Sequence, residues 1–496
     1  MPRSPFEPLD LATALAPSVV AYVALLLLLG VYGIHRISML ARFRWSAARR
    51  DGGPTPGERT PSDAAALPSI TVQLPLYNER TVAARLIEAV GALDYPGDRL
   101  EIQVLDDSTD ETRAIVDEAV AALCARGLDA KVLRRPDRVG YKAGALDHGM
   151  RATANEFLCV FDADFLPRAS FLRDLVGAFE DPAVGMVQAR WEHANRDESL
   201  LTRAQSTLLD GHFVIEHTVR HDSGLFFNFN GTAGIWRRAT IESAGGWQHD
   251  TLTEDLDLSY RAQLAGWKFV YAPTVAAPAE VPPSLVSFKS QQHRWAKGSV
   301  QVARKLGWRI LRADVPLRNK LEAVAHLTGN TGYPLVLALA VLLPLVVVEQ
   351  ERLSPLWHLG MFLLCTASVV AFYDRSQSAL GRTGRARLRD VPAAIALGIG
   401  MCVSQTRAVL EGLFQETGEF VRTPKRGDAP KRAGYRASLV GLPGVELLLA
   451  TWFAWGVVVA LQRGLWGSLP FLALFLFGFG WVGALSLGEW WRARTA

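Results

Sequence analysis

Cysteine is scarce in this chain, and its few cysteines stand far apart. There are 4 among 496 residues, and no two of them have the C-x-x-C spacing of zinc sites and redox pairs. The sequence therefore gives no support to a disulfide framework or a cysteine zinc site. We expect Cys124, Cys159, Cys365 and Cys402 to be small buried apolar residues. No internal repeat stands out.

The chain also lacks a strong charge of either sign. Its formal net charge is +4, and the basic excess lies beside long apolar runs. Basic clusters beside membrane spans are explained by membrane topology and by anionic lipid. The composition therefore predicts a lipid bilayer as a partner and no nucleic acid.

Charged residues are absent from Leu11–Ile34, a run long enough to cross a bilayer core of about 30 Å. Glu7 and Asp10 precede this run and several arginines follow it, whereas a cleaved signal peptide begins with basic residues. We predict a retained membrane anchor over 1–50 with its N-terminus outside and the middle of the chain in the cytoplasm. Residues 51–67, rich in Gly, Pro, Ala and Thr, are predicted to be a linker.

Long apolar runs return after residue 320. If the run 391–414 crossed the membrane, the basic segments 374–390 and 422–436 would lie on opposite sides, against the positive-inside rule. We predict that 391–414 lies in the membrane interface and that the other runs span the bilayer. The predicted spans are 323–348, 356–373, 438–461 and 467–488. The resulting regions are 321–374 with two spans, 375–437 with the basic loop and interfacial helix, and 438–496 with two spans and a cytoplasmic tail.

Between the membrane regions, strand patterns alternate with helix patterns. Strands are predicted at Ser69–Pro75, Glu101–Leu105, Ala130–Leu133 and Glu156–Phe161, and helices at Thr81–Leu93, Glu111–Arg126 and Lys142–Thr153. This alternation predicts an α/β domain over 68–282, with a mostly parallel sheet covered on both faces. Ligands of such sheets bind beyond the carboxyl ends of the strands.

Two carboxylates follow the most apolar of these strands. The run Phe157–Phe165 reads F-L-C-V-F-D-A-D-F, and residues two apart on an extended strand point the same way. Asp162 and Asp164 would repel each other unless a cation lay between them, and a divalent cation bound with a substrate diphosphate meets that need. The alternative is an ordinary turn leading to Pro167, since Asp is common in turns.

Polar residues also follow the other predicted strands, at Leu76–Glu79 and Asp106–Asp110. Asp106 and Asp107 could bind the base and ribose of a nucleoside, and the alternative is a cap for the next helix. Lys142 starts a predicted helix, where an ammonium and free N–H groups suit a diphosphate. The alternative for this lysine is a surface position.

Three later segments could complete a site. Phe226–Ala233 is small and polar after an aromatic patch and suits contact with a sugar. In Thr253–Asp257 a threonine could cap a helix, and Asp255 could be a general base or only a partner of the helix dipole. Gln291–Trp295 lies on an amphipathic helix predicted within 283–320, where Trp and Arg could instead be interfacial anchors.

Together, these motifs resemble the family 2 glycosyltransferases of the processive, cellulose-synthase-like branch, and most of all plant-type mannan and glucomannan synthases. The motifs that carry the resemblance are Asp106-Asp107, Asp162-Asp164, Thr253-Glu254-Asp255 and Gln291-Arg294-Trp295, in this order. The segments L-P-L-Y-N-E and G-Y-K-A-G-A-L agree with it. Phe420–Lys425 resembles the gating loop of bacterial cellulose synthase, with Arg422 where that loop usually has Val.

The resemblance implies a GT-A (Rossmann-like) domain joined to a multi-helix transmembrane region. It implies an inverting enzyme that uses a nucleotide sugar, Mn²⁺ or Mg²⁺, and a growing β-1,4-glycan as acceptor. Catalytic roles are implied for Asp255, Glu254 and Asp107, and metal binding for Asp162 and Asp164. Donor or acceptor contacts are implied for Tyr77, Glu79, Asp106, Asp107, Lys142, Asp162, Gln291, Arg294, Trp295, Phe420, Thr423 and Lys425.

Other interpretations stay open at this point. The A-K-G-S sequence after Trp295 departs from the mannan synthase subgroup, so the donor could be GDP-mannose, UDP-glucose or GDP-glucose. The acceptor could be a lipid such as diacylglycerol or ceramide. A non-enzymatic receptor is a third alternative, against which the full set of candidate carboxylates argues. Frequent Ala and Arg predict a GC-rich bacterium and its inner membrane, and a homo-oligomer is left open.

The charge pattern yields a test of the membrane topology. Labels placed near Gly384 and near Asp428 should both react only from the cytoplasmic side, because the segment 391–414 between them is predicted not to cross. The measurement is reaction of single introduced cysteines with a membrane-impermeant reagent, in sealed and in opened vesicles. Labels on opposite faces would show that the segment spans.

Overall fold

The computed structural model describes residues 17–49, 67–348, 355–415 and 444–495. The predicted gating-type loop Phe420–Lys425 lies outside the described residues. The main helices are α1 Pro17–Arg49, α2 Ala83–Gly91, α3 Thr112–Ala125, α4 Tyr141–Arg151, α5 Phe171–Val176, α6 Leu200–Asp210, α7 Thr218–Asp222, α8 Arg238–Ser243, α9 Glu254–Leu264, α10 Leu285–Arg312, α11 Leu317–Leu327, α12 Gly332–Val348, α13 Pro355–Ala379, α14 Gly384–Gly400, α15 Cys402–Phe414, α16 Gly444–Gln462 and α17 Leu469–Thr495. A π-helix over Gly211–His217 joins α6 to α7.

A seven-stranded sheet with the order β3-β2-β1-β4-β6-β5-β7 forms the centre of the α/β domain. Its strands are β1 Ile70–Leu76, β2 Leu100–Asp106, β3 Asp129–Leu133, β4 Phe157–Val160, β5 Val184–His193, β6 Gly234–Arg237 and β7 Lys268–Ala279. β1 pairs in parallel with β2 and β4, and β5 with β7, whereas β6 is antiparallel to both of its neighbours. The prediction of a mostly parallel sheet is confirmed, and β6 is the exception.

Both faces of the sheet are covered by apolar side chains. On β4, Cys159 belongs to one core, which also contains Leu86 of α2. Its neighbours Leu158 and Val160 belong to the other core, which contains Leu146 of α4. Successive strand residues alternate between faces, so a wholly apolar strand is what a sheet buried on both sides requires.

The cysteines only partly follow the prediction. Cys159 and Cys402 are buried and Cys365 is half-buried, but Cys124 is exposed. Cys124 lies on the outer side of α3, where its Sγ lies 3.1 Å from the Ala130 carbonyl oxygen. The expectation that all four would be buried is wrong for this residue.

Four helical segments of the described chain are long and apolar enough to cross a membrane, or five if one bent pair counts as a single span. The four are Pro17–Ser46, Gly329–Val347, Gly444–Gln462 and Trp466–Arg492. The bent pair consists of α14 and α15, which meet at an angle of 50°. The predicted interfacial run 391–414 is therefore two helices rather than one straight rod. Its place relative to the bilayer stays a prediction.

The amphipathic helix α10 is attached to the C-terminal helices at its own N-terminus. Glu489 of α17 accepts hydrogen bonds from the backbone N–H groups of Leu285 (2.8 Å) and Val286 (3.0 Å), and from the Ser284 hydroxyl. One turn further along, Lys289 lies 2.6 Å from the Glu446 carboxylate of α16. The first N–H groups of a helix have no partner within it, so a carboxylate from another helix both satisfies them and fixes the position of α10.

We expect Glu489→Ala to lower the free energy of unfolding by about 0.5–2 kcal/mol, the usual effect of losing a helix cap. Glu489→Gln keeps one acceptor oxygen and should lose less. Thermal unfolding of the detergent-solubilised protein measures both, and Glu88→Ala, an exposed acid on α2, is the control. An unchanged unfolding temperature for Glu489→Ala would show that this carboxylate does not stabilise α10.

Candidate active site

A cleft lies beyond the carboxyl ends of β1, β2 and β4, where the sequence predicts a ligand. Most of the predicted site residues line it together. They are Tyr77, Glu79, Asp107, Lys142, Asp162, Asp164, Glu254, Asp255, Gln291, Arg294 and Trp295. Residues far apart in the chain therefore converge because parallel strands end at the same edge of the sheet.

Asp106 is predicted to contact a ligand, but the structure places it outside this cleft. Its side chain is buried at 2 % exposure, with one carboxylate oxygen 3.0 Å from the Ser108 N–H and the other 2.9 Å from Arg134 Nε. It therefore stabilises the turn after β2. It does not cap the next helix, because the Thr112 N–H donates to Asp110 instead.

Asp107, its neighbour, does line the cleft and is held by one arginine. Arg135 Nε lies 3.1 Å from Asp107 Oδ1, and a second guanidinium nitrogen contacts the other oxygen. The same guanidinium donates to the carbonyls of Val139 and Tyr141, at 2.8 and 2.9 Å. Asp107 thus fixes the turn that leads into α4 and so helps to place Lys142.

Lys142, in the first turn of α4, reaches the predicted metal-binding pair. Its ammonium contacts Asp162 and donates to the Gly231 carbonyl at 2.9 Å. Asp162 is partly exposed, whereas Asp164 is buried at 3 % exposure. Burial by itself would lower the pKa of Lys142, but Asp162 and Glu254 outweigh it and raise that pKa. The lysine is therefore firmly cationic.

Glu254 and Asp255 are the first two residues of α9. Burial, and then the charge of Glu254, raise the pKa of Asp255 to about 7, and burial likewise raises the pKa of Glu254. The Asp255 carboxyl and the Lys142 ammonium meet beside Gly231, where a Cβ would lie 3.0 Å from Asp255 Oδ2 and 3.4 Å from Lys142 Nζ. Its φ of +82° also favours glycine.

The residue before this pair, Thr253, occupies the N-cap position that the sequence predicts, but its side chain makes no capping hydrogen bond. It packs against Gly298 of α10, where a Cβ would lie 2.5 Å from Thr253 Cγ2. A second contact comes from Gln301 Oε1, which accepts from the Leu252 N–H at 2.9 Å. The start of α9 is therefore pressed directly onto α10, and the two late motifs are positioned together.

One face of α10 supplies Gln291, Arg294 and Trp295, since residues three and four apart are neighbours on a helix. Burial lowers the pKa of Arg294 to about 10, although Glu254 and Asp162 partly offset that effect. The ring centroids of Trp295 and Trp191 are 6.3 Å apart. These two indoles form an aromatic wall of the cleft.

Arg138 and Trp191 line the cleft wall and were missed by sequence reasoning as site residues, whereas Asn230 belongs to the segment 226–233 that the sequence predicts to contact a sugar. The guanidinium of Arg138 lies 3.2 Å from the centroid of the Tyr77 ring. A signal for Arg138 was present, because it stands in the turn after β3, where the other clusters stand after β1 and β2. Trp191 gave no such signal, because it stands within β5 and reaches the cleft only through the packing of β5 beside β7.

The geometry agrees with comparisons to known proteins. Residues 68–298 match the family described as glycosyltransferase like family 2. The chain is 36% identical over 396 residues to glucomannan 4-beta-mannosyltransferase 2 of Arabidopsis thaliana, covering 76% of this chain and 71% of the relative. It is 34% identical over 523 residues to probable glucomannan 4-beta-mannosyltransferase 9 of Oryza sativa subsp. japonica, covering 97% and 95%. The chain belongs to the glucomannan 4-beta-mannosyltransferase family.

This glycosyltransferase also has the predicted GT-A fold. A mannosyltransferase of Pyrobaculum calidifontis, solved in complex with GDP-Man and Mn²⁺, superposes with a TM-score of 0.51 at 22% identity, covering 80% of this chain and 100% of that chain. The predicted resemblance to plant-type mannan synthases is thus confirmed. Because the two relatives above are plant proteins, they give no support to the prediction of a bacterial inner membrane.

The geometry of Asp255 yields a test of its role. Asp255→Asn should lower transfer by about 10²–10⁴-fold, the usual contribution of a general base. In the wild-type enzyme kcat/KM should rise with pH up to about 7, the pKa of this buried carboxyl. Glycan formation measured over a pH series checks both. Transfer within tenfold of wild type in the variant would return Asp255 to a structural role.

The same variant should also change stability in a pH-dependent way. The pKa of Asp255 is higher in the folded protein than the 3.8 of a free aspartate, so the folded form loses stability as pH rises from about 4 to 7. Asn cannot ionise, and the unfolding temperature of the variant relative to wild type should therefore increase with pH. Asp98→Asn, at a side chain 81% exposed, is the control and should show no such trend.

Proposed function

We propose that this enzyme transfers mannose from GDP-mannose, with inversion, to the growing end of a β-1,4-linked glycan. The observation that carries the proposal is the convergence beside Gly231 of the Lys142 ammonium, which contacts Asp162, and the half-buried carboxyl of Asp255. The ammonium suits a leaving diphosphate, and the carboxyl suits an incoming hydroxyl. The names of the plant relatives support mannose over glucose as the sugar.

A divalent cation fits the donor set of this cleft. Within the described part of the chain, no group of three His, Cys, Asp or Glu side chains could hold a metal by itself. Asp162 and Asp164 offer two carboxylates, and Mg²⁺ and Mn²⁺ commonly combine one or two carboxylates with substrate phosphates and water. When bound there, such an ion would stabilise negative charge on the diphosphate.

The reaction needs no nucleophile from the protein. The acceptor hydroxyl oxygen bonds to the anomeric carbon while Asp255 takes its proton, and the bond from that carbon to the diphosphate breaks on the opposite side. The electron pair leaves with the diphosphate, whose charge Lys142 and Arg294 stabilise. Glu254 keeps Asp255 basic, since like charges close together favour the protonated form.

The aromatic wall supports a glycan as the acceptor. Trp295 and Trp191 line the same cleft as Asp255 and contribute apolar ring surfaces to it. Sugar rings have apolar faces that pack on such surfaces, and Gln291 beside them can bind hydroxyl groups. The alternative of a lipid acceptor has no comparable support, and the candidate membrane spans support a reaction at a lipid bilayer.

The decisive experiment supplies purified enzyme in lipid nanodiscs with GDP-mannose, GDP-glucose or UDP-glucose, with Mn²⁺ or Mg²⁺, and measures product size. We expect a β-mannanase-sensitive polymer from GDP-mannose. Asp164→Asn should lower transfer by about 10²–10³-fold, the usual effect of losing one electrostatic element, and chelator should act similarly on the wild type. Arg151→Gln, at a side chain 77% exposed, is the control.

Three outcomes would contradict the proposal. A single-sugar lipid product would favour the glycolipid alternative. Release of free sugar without any acceptor product would show that the aromatic wall does not bind a glycan. Full activity of Asp164→Asn in chelator would end the metal-dependent mechanism.

A further inference from the structure

Asn230 belongs to the segment that the sequence predicts to contact a sugar, and it has no part in the mechanism proposed above. It lines the cleft and directly precedes Gly231, which contacts Lys142 and lies against Asp255. A hexose attached to the diphosphate must lie between that lysine and that carboxyl. The side chain of Asn230 is therefore beside the sugar that is transferred.

Two histidines hold the amide of Asn230. His217 Nε2 lies 2.7 Å from Asn230 Oδ1 and 3.0 Å from the Asn228 carbonyl oxygen. His212 Nε2 lies 3.0 Å from Asn230 Nδ2. The His217 side chain is fully buried, and the two imidazole rings are in contact, with centroids 4.3 Å apart.

Chemistry fixes the direction of each of these hydrogen bonds. The Asn228 carbonyl can only accept, so His217 Nε2 carries a proton and donates. Burial holds the pKa of His217 well below its usual value, and the ring is neutral. The atom of Asn230 that faces His217 is consequently the oxygen, which leaves its NH₂ group to donate to His212 Nε2.

The other ring nitrogen of His212 also has a defined hydrogen-bond partner. Its Nδ1 lies 3.0 Å from a carboxylate oxygen of Glu216. Burial by itself would raise the pKa of Glu216, but Arg220 and His212 hold it well below its usual range, so the carboxylate is ionised and accepts. Arg220 in turn donates to Glu322 at 2.9 Å. Each side chain in this series of hydrogen bonds therefore has one orientation that satisfies its partners.

The π-helix over Gly211–His217 brings the two histidines together. In an α-helix, residues five apart point about 140° apart around the axis. The wider π-turn, with its i→i+5 hydrogen bonds, places them on nearly the same face. A regular α-helix could not present both rings to one amide.

We propose that His212 and His217 are positioning residues that lock the Asn230 amide in one orientation, and that this amide selects the donor hexose by the stereochemistry of its hydroxyl groups. Mannose and glucose differ only in the direction of one hydroxyl, at C2. An amide free to rotate could offer either its oxygen or its NH₂ group to both epimers. A locked amide offers a donor and an acceptor at fixed places and favours one.

This inference rests on the proposed function, and its test measures donor binding rather than turnover. All variants are made in an Asp255→Asn background, which binds donor without transferring it, and full-length protein in nanodiscs is titrated with GDP-mannose and GDP-glucose. The measured quantity is the dissociation constant for GDP-glucose divided by that for GDP-mannose. Because this ratio does not depend on turnover, inactive variants can be measured too.

Asn230→Ala and His217→Leu should each reduce this ratio about threefold to tenfold, the range expected for one net hydrogen bond. His217→Gln can still donate to the amide oxygen and should keep the ratio within about twofold. His148→Leu, at an exposed histidine of α4, is the control for loss of an imidazole. A circular dichroism spectrum of each variant confirms that it is folded.

Several results would overturn the inference. An unchanged ratio in Asn230→Ala would show that the amide does not contact the distinguishing hydroxyl. A reduced ratio in Asn230→Ala but not in His217→Leu would show that His217 does not orient the amide. An equal reduction of the ratio in His217→Leu and His217→Gln would show that the effect comes from packing and not from the hydrogen bond. A background protein that binds both epimers equally would also overturn it. The proposed function fails separately, if the wild-type enzyme makes no glycan from either donor.

Discussion

The positive charge of the Lys142 ammonium holds the acidic residues of the cleft together. It contacts Asp162 and the Gly231 carbonyl, and it lies close enough to Glu254 and Asp255 for their charges to raise its pKa. Carboxylates that share a site repel one another, and Lys142 and Arg294 only partly compensate them. The site therefore has an excess of negative charge, which a divalent cation would reduce. Burial, and then the charge of Glu254, raise the pKa of Asp255 to about 7, close to the pH at which a general base is most effective.

The second constraint is the position of α10, which contributes Gln291, Arg294 and Trp295 to the cleft. Glu489 and Glu446 hold its N-terminal half against the C-terminal helices. Further along, Gly298 lets it pack directly on Thr253, at the start of the helix that bears Asp255. Asp255, the proposed general base, and the aromatic wall are thus positioned by the same helix. That helix is held in turn by contacts to α16 and α17, two of the helices long and apolar enough to cross a membrane.

The sequence predicted the strand and helix alternation of the α/β domain and most of the cleft, because these depend on local patterns. Apolar runs, turn residues and helix starts are encoded within a few residues. Asp162 and Lys142 were found in this way, since the carboxyl ends of parallel strands necessarily meet. Asp106 was misplaced for a related reason. The pattern shows that a carboxylate follows a strand, but not whether it turns toward the ligand or toward Arg134.

Taken by itself, the sequence determined the family through the order of its motifs, the α/β class through its periodicity, and the candidate spans through its long uncharged runs. Tertiary structure decided the antiparallel insertion of β6, the approach of Trp191 to Trp295, and the bend between α14 and α15. It also decided the π-helix that brings His212 and His217 to one amide. These features depend on pairings between distant segments, and their energies come from packing and buried hydrogen bonds that local propensity does not contain.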